Sequence, residues 1–107
     1  MIRVRFLVGN RQLAGFEIRG HADFADIGKD IVCASVSSAA LMAANTITEI
    51  IGAKADANAD NGAMLFMVDE PCERTETVLK GLELHLTELA KQYPENIKII
   101  YGGVKNA

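Results

Sequence analysis

The chain has 107 residues, 50% of them hydrophobic, and a formal charge of −3 at neutral pH. That length builds one core and leaves no room for a second, so residues 1–107 read as a single domain, and the apolar content excludes a disordered chain. The eleven Lys and Arg are spread along the sequence without a cluster, which argues against direct nucleic-acid binding through phosphates.

Met1–Val8 alternates, with Ile2, Val4, Phe6 and Val8 on one face and Arg3 and Arg5 on the other, the period of a half-buried strand. Gly9-Asn10-Arg11-Gln12 is turn-like, and Leu13–Arg19 alternates again, so the pair predicts a β-hairpin. Gly20–Lys29 has no period and reads as a loop. From Asp30 or Ile31 to Ile51 the pattern is helical, with Gly52 as the stop. This helix is apolar nearly all round, so cover on more than one side is expected. Its run is interrupted by Ser35, Ser37, Ser38, Asn45, Thr46, Thr48 and Glu49, so no membrane span is expected.

Ala53–Asn61 is polar and the weakest strand candidate; Asn61-Gly62 is a turn signal, and Ala63–Val68 is a strand. Pro71 suits the first position of a second helix. Val78, Leu79, Leu82, Leu86 and Leu89 carry that helix through Gln92, and Pro94 stops it. Ile97, Ile99 and Tyr101 alternate as a last strand, and Gly102–Ala107 reads as a frayed tail. The order β-β-α-(β)-β-α-β predicts an α+β fold, a small mixed or antiparallel sheet with two helices. The alternating start is unlike an export signal, so the cytoplasm, where Cys33 and Cys72 stay reduced, is the expected location.

Chemistry concentrates around the start of the first helix, where His21 ends a strand and Cys33 falls in the first predicted turn. A thiolate attacks and a neutral thiol does not, so a catalytic cysteine needs a lowered pKa. A helix N-terminus supplies free N–H groups and a favourable dipole, and a nearby imidazole supplies a proton acceptor. The same N–H groups can hold an oxyanion. The bland reading stands beside this one: a cysteine in an Ala/Ser/Val helix is more often core. Asp30 suits the helix N-cap better than catalysis, and Gly20 and Gly28 read as backbone devices allowing close approach or positive φ. Ser37, one turn after Cys33, shares its helical face. Cys72, flanked by Glu70 and Glu73, reads as an exposed, inert thiol, and His85 faces solvent or an interface. The spacing of two Cys and two His offers no metal motif, and no glycine run cradles a phosphate, so neither metal nor cofactor is expected.

The run GHADFADIGKDIVCASVS resembles the ribosomal-processing cysteine protease family, Prp. The resemblance rests on Gly20, His21, Ala22, Gly28, Asp30, Ile31, Val32, Cys33, Ala34 and Ser37; one departure is Ile27, where many members carry an aromatic residue. It implies a homodimeric cysteine endopeptidase that removes the N-terminal extension of bacterial large-subunit ribosomal protein twenty-seven. Cys33 then matches the nucleophile and His21 the general base, with Gly20, Gly28, Asp30 and Ser37 in supporting places. Three other readings compete: a ribosome-associated binding protein without catalysis, a thiol redox switch using Cys33 and Cys72, and a structural dimer with a buried, inert Cys33.

Overall fold

The computed structural model describes residues 1–20, 27–60 and 62–104, with backbone alone for 27–30. Strands β1 (Ile2–Gly9) and β2 (Gln12–Arg19) pair antiparallel around Asn10 and Arg11, whose φ angles are 52° and 66°. Positive φ at both central residues gives the turn whose twist matches that of the flanking strands. The ladder slips between Leu7 and Val8, where Leu7 faces Gly15 but Val8 faces Leu13. At this bulge the Leu13 N–H donates to the Glu76 carboxylate at 2.8 Å, which ties the hairpin to the second helix.

Helix α1 (Ile27–Asn45) runs on as a π-helical segment, Thr46–Ile51, closed by Gly52 at φ 79°. Strands β3 (Ala55–Asp60) and β4 (Ala63–Val68) follow, then α2 (Glu73–Gln92) and β5 (Ile97–Gly103). The sheet order is β3-β4-β2-β1-β5, antiparallel except where β5 runs parallel to β1. A parallel neighbour needs a crossover, and α2 provides it. The α+β fold is as the sequence predicts, and the weakest strand candidate is a genuine edge strand.

One contiguous core joins the inner faces of the strands (Val4, Phe6, Phe16, Ile18, Phe66) to both helices. α1 contributes Val32, Val36, Ala40, Ala43 and its π-helical extension Ile47, and α2 contributes Thr75, Leu79, Leu82 and Leu86. Phe16 and Phe66 stack across β2 and β4 with centroids 5.4 Å apart. Each fully buried Phe contributes on the order of 2–3 kcal/mol.

Four local expectations are corrected. α1 begins at Ile27, three to four residues early, so Ile27–Lys29 is helix instead of loop. Pro71 lies before α2, which starts at Glu73 with Cys72 as its N-cap. Gly102 and Gly103 belong to β5, and the Val104 N–H donates to the Val8 carbonyl at 2.9 Å, so the strand pairing extends past the predicted frayed start. The apolar helix is covered on one side only: Ile31, Leu41, Met42 and Ile50 are all more than half exposed, at 57%, 51%, 65% and 77%. By length and composition Ile31–Ile51 is apolar enough to cross a membrane, yet its buried stripe packs on the sheet as a core helix.

Candidate active site

Cys33 is the seventh residue of α1 and half-buried against the core. It opens on a cleft of about 380 Å³ at the end of the sheet. Ile2 and Ile18 form the floor, Val36 and Ser37 continue the helical wall, and Ala59, Asp60, Gly62, Ala63 and Met64 close the far side. Ser37 lies one turn from Cys33 in the same cleft, as its spacing predicts.

Gly20 also lines this cleft. Its φ is 87°, and a Cβ there would collide with the Met1 carbonyl oxygen. Both backbone roles expected of it therefore hold: left-handed conformation and close approach. His21 lies outside the described residues. Gly28 and Asp30 are the second and fourth residues of α1. Asp30 is thus inside the helix and is not its N-cap, and Gly28 is helical instead of part of a loop.

The early start of α1 changes the electrostatics. The free N–H groups of a helix end with its third helical residue, here Lys29. Cys33 lies in the second turn, so its own N–H is committed to the helix ladder and is not an oxyanion donor. The dipole acts most strongly within the first turn, so the sulfur receives less of it than the sequence predicts.

Cys72 shows the opposite arrangement. Its backbone N–H donates to Thr75 Oγ1 at 2.9 Å, in a capping box whose return bond runs from the Thr75 N–H to the sulfur. The Thr75 hydroxyl also lies 3.8 Å from the sulfur. These bonds, the backbone one first and the hydroxyl second, pull the thiol below its ordinary value. Cys72 is exposed, as expected, but its electrostatics are reversed: the bonds from Thr75 lower the thiol, and Arg74 adds to them.

His85 is exposed at the rim of a groove between α1 and α2 of about 1010 Å³, lined by Ile31, Ala34, Ser38, Met42 and Leu82 among others. Among the described residues no cluster of three His, Cys, Asp or Glu could hold a metal ion.

Sequence reasoning missed the far wall of the Cys33 cleft. The Asn61-Gly62 signal marks a hairpin there, but only the pairing of β4 with β2 brings Ala63 and Met64 beside the Cys33 helix.

The sequence profile of the family described as Cysteine protease Prp matches residues 1–98. The chain belongs to the Prp family. It is a cysteine protease by that membership. The ribosomal processing cysteine protease Prp of Bacillus subtilis (strain 168) is 26% identical over 97 residues, covering 84% of this chain and 87% of the relative. Prp of Staphylococcus aureus (strain Mu50) is 31% identical over 85 residues, covering 77% and 80%. A crystal structure of S. aureus Prp with a covalently linked product peptide superposes with a TM-score of 0.84 at 27% identity, covering 95% of this chain and all of that one. A Prp fold thus accounts for nearly the whole chain, and the Cys33 cleft gathers Gly20, Cys33 and Ser37 at the end of the sheet.

Proposed function

We propose that this Prp family member removes the N-terminal extension of bacterial large-subunit ribosomal protein twenty-seven, with Cys33 as nucleophile and His21 as general base. The observation that carries the reading is convergence: Gly20, Cys33 and Ser37, separate in the motif, line one cleft. The covalently linked peptide in the S. aureus Prp structure supports a substrate held on a cysteine.

The chemistry is acyl transfer. His21 takes the thiol proton, and the thiolate of Cys33 attacks the scissile carbonyl to form a C–S bond. The C–N bond then breaks as His21 returns the proton to the departing amine. Water, deprotonated by His21, attacks the thioester, releases the new carboxylate and restores the thiol. The oxyanion needs donors other than the Cys33 N–H; the Ser37 hydroxyl, beside the sulfur in the cleft, is one candidate. Gly20 positions the chain, and Gly28 and Asp30 act through the first turn of α1.

The enzyme acts in the cytoplasm as a homodimer in this reading. The exposed apolar side chains Ile31, Met42 and Ile50 support an interface on α1, since such residues gather where a second surface covers them. The deciding experiment is cleavage of a peptide carrying the ribosomal extension by the wild-type chain and by Cys33→Ala. Loss of cleavage in a folded variant is expected, and cleavage at the wild-type rate would defeat the assignment.

A further inference from the structure

We propose that the open face of the sheet docks RNA through its phosphate backbone. Both helices pack on the opposite face, and on this side Arg3, Arg19 and Lys98 are exposed, with no helix over them among the described residues.

The register gathers cations that are scattered in sequence. Arg3 stands opposite Arg19 across the β1–β2 pair and beside Lys98 across the β1–β5 pair. All three are exposed. At a strand spacing of roughly 4.8 Å, the row Lys98–Arg3–Arg19 spans about 10 Å. Arg5 lies in the next row on the same face, opposite Glu17. Like charges placed directly opposite weaken a strand pair, so this row is better satisfied with an anion laid along it.

The local acids offset it only at the Arg19 end. Glu17 is shared between Arg19 at 3.0 Å and Arg5 at 3.8 Å. Among the described residues, no carboxylate lies within ion-pair distance of Arg3 or Lys98. Asp60 ends the same row one strand beyond Ala63 and lines one depression with Arg19, so the free cationic stretch is Lys98–Arg3, while Asp56 lies two rows away on β3. Glu73, Glu83 and Glu88 are on α2, on the far side of a sheet and helix layer, and salt screens charges beyond about 10 Å. The net charge of −3 therefore does not describe this face.

The ligand chemistry follows from shape. Three cations at even spacing on adjacent strands match a polymer with regularly repeated anions, and guanidinium forks grip phosphate in bidentate fashion. The neighbouring positions on this face are Leu65, Met67 and Ile100, so no aromatic platform is present for bases, and recognition is of backbone instead of sequence. The choice of RNA over another polyanion rests on the ribosomal reading above. The row also ends beside the active site: past Arg19 it meets Ala63 and Asp60, which line the Cys33 cleft on the other side. RNA held here would bring an attached ribosomal protein within reach of that cleft.

The test is fluorescence anisotropy with a labelled ribosomal RNA hairpin, run beside peptide cleavage. Binding should weaken about 20- to 150-fold between 50 and 200 mM salt, the range for three to four phosphate contacts. Arg3→Glu with Lys98→Glu should weaken it at least tenfold while peptide cleavage keeps its wild-type rate. Arg3→Gln with Lys98→Gln should lower the salt slope by about two, and serves if charge reversal prevents folding. Lys80→Glu with Lys91→Glu, the same charge change on α2, should leave binding within twofold. No binding at 50 mM salt, or equal losses in the two reversal pairs, would overturn the proposal. So would polyglutamate competing as well as RNA, which would make the partner an acidic protein. So would a change of oligomeric state on reversal at Arg3, which would make it a second copy. Loss of peptide cleavage by the wild-type chain would instead strike the peptidase reading alone.

Discussion

The two cysteines occupy contrasting places. Cys72 caps α2, is exposed, and has its thiol drawn down by Thr75. Cys33 sits in the second turn of α1, half-buried, where it shares a cleft with Ser37 and Gly20. If an acidified sulfur were sufficient, Cys72 would be the nucleophile. It lines neither the Cys33 cleft nor the groove between the helices, and the stretch that carries the Prp resemblance does not include it. A working site needs a wall for the substrate and a base able to reach the sulfur, and those surround Cys33 in the proposed mechanism.

The largest expected effect separates the two residues outright. Cys33→Ala should abolish peptide cleavage while leaving the thermal midpoint within a few degrees, because the side chain is small and only half-buried. Cys72→Ser should cleave at the wild-type rate, and comparable losses from both would dissolve the contrast. Next, His21→Ala should lower kcat/KM by roughly 10²–10⁴, the range for a lost acid–base group. It should also slow iodoacetamide labelling of Cys33 at neutral pH without slowing that of Cys72. Unchanged Cys33 labelling would place its base elsewhere.

Gly20→Ala should act on one side of the comparison only. The residue would carry φ 87° and meet the Met1 carbonyl oxygen, so destabilisation of more than about 1 kcal/mol is expected, together with reduced cleavage. Cys72 labelling should be unaffected; a full-activity Gly20→Ala enzyme would show that the cleft tolerates a different exit from β2. The smallest effect is at the other cysteine. The thiolate is the reactive form, so a lowered thiol reacts at lower pH than an ordinary one. The Cys72 alkylation rate should rise through a midpoint on the acid side of a free cysteine. Thr75→Val should move that midpoint back toward the ordinary value but only in part, since the backbone N–H remains, and cost about 1 kcal/mol as a lost cap. An unmoved midpoint would mean the hydroxyl is not one of the causes.

Much of the fold was legible in local pattern. The alternation of Ile2, Val4 and Phe6 and the helical spacing of Leu79, Leu82 and Leu86 correspond to buried stripes in the structure. The end of α2 at Gln92 and the bounds of β4 agree with Pro94 and with Ala63–Val68. The helix starts were less legible. Asp30 is a good cap, yet α1 extends back to Ile27, and Pro71 precedes a capping box built on a cysteine. Capping competes with continuation by margins near 1 kcal/mol, too small for residue type alone to settle.

The sequence by itself determined the element order, the α+β class and the motif that joins Gly20 to Ser37, because periods of two and of 3.6 residues are local and a motif is read in one dimension. Tertiary structure alone decided that Ala63, Met64 and Asp60 wall the Cys33 cleft, and that Arg3, Arg19 and Lys98 stand in one row. Those neighbours are set by which strands pair and in what register. That choice minimises the exposed apolar face of the whole sheet and leaves no trace in any short stretch of chain.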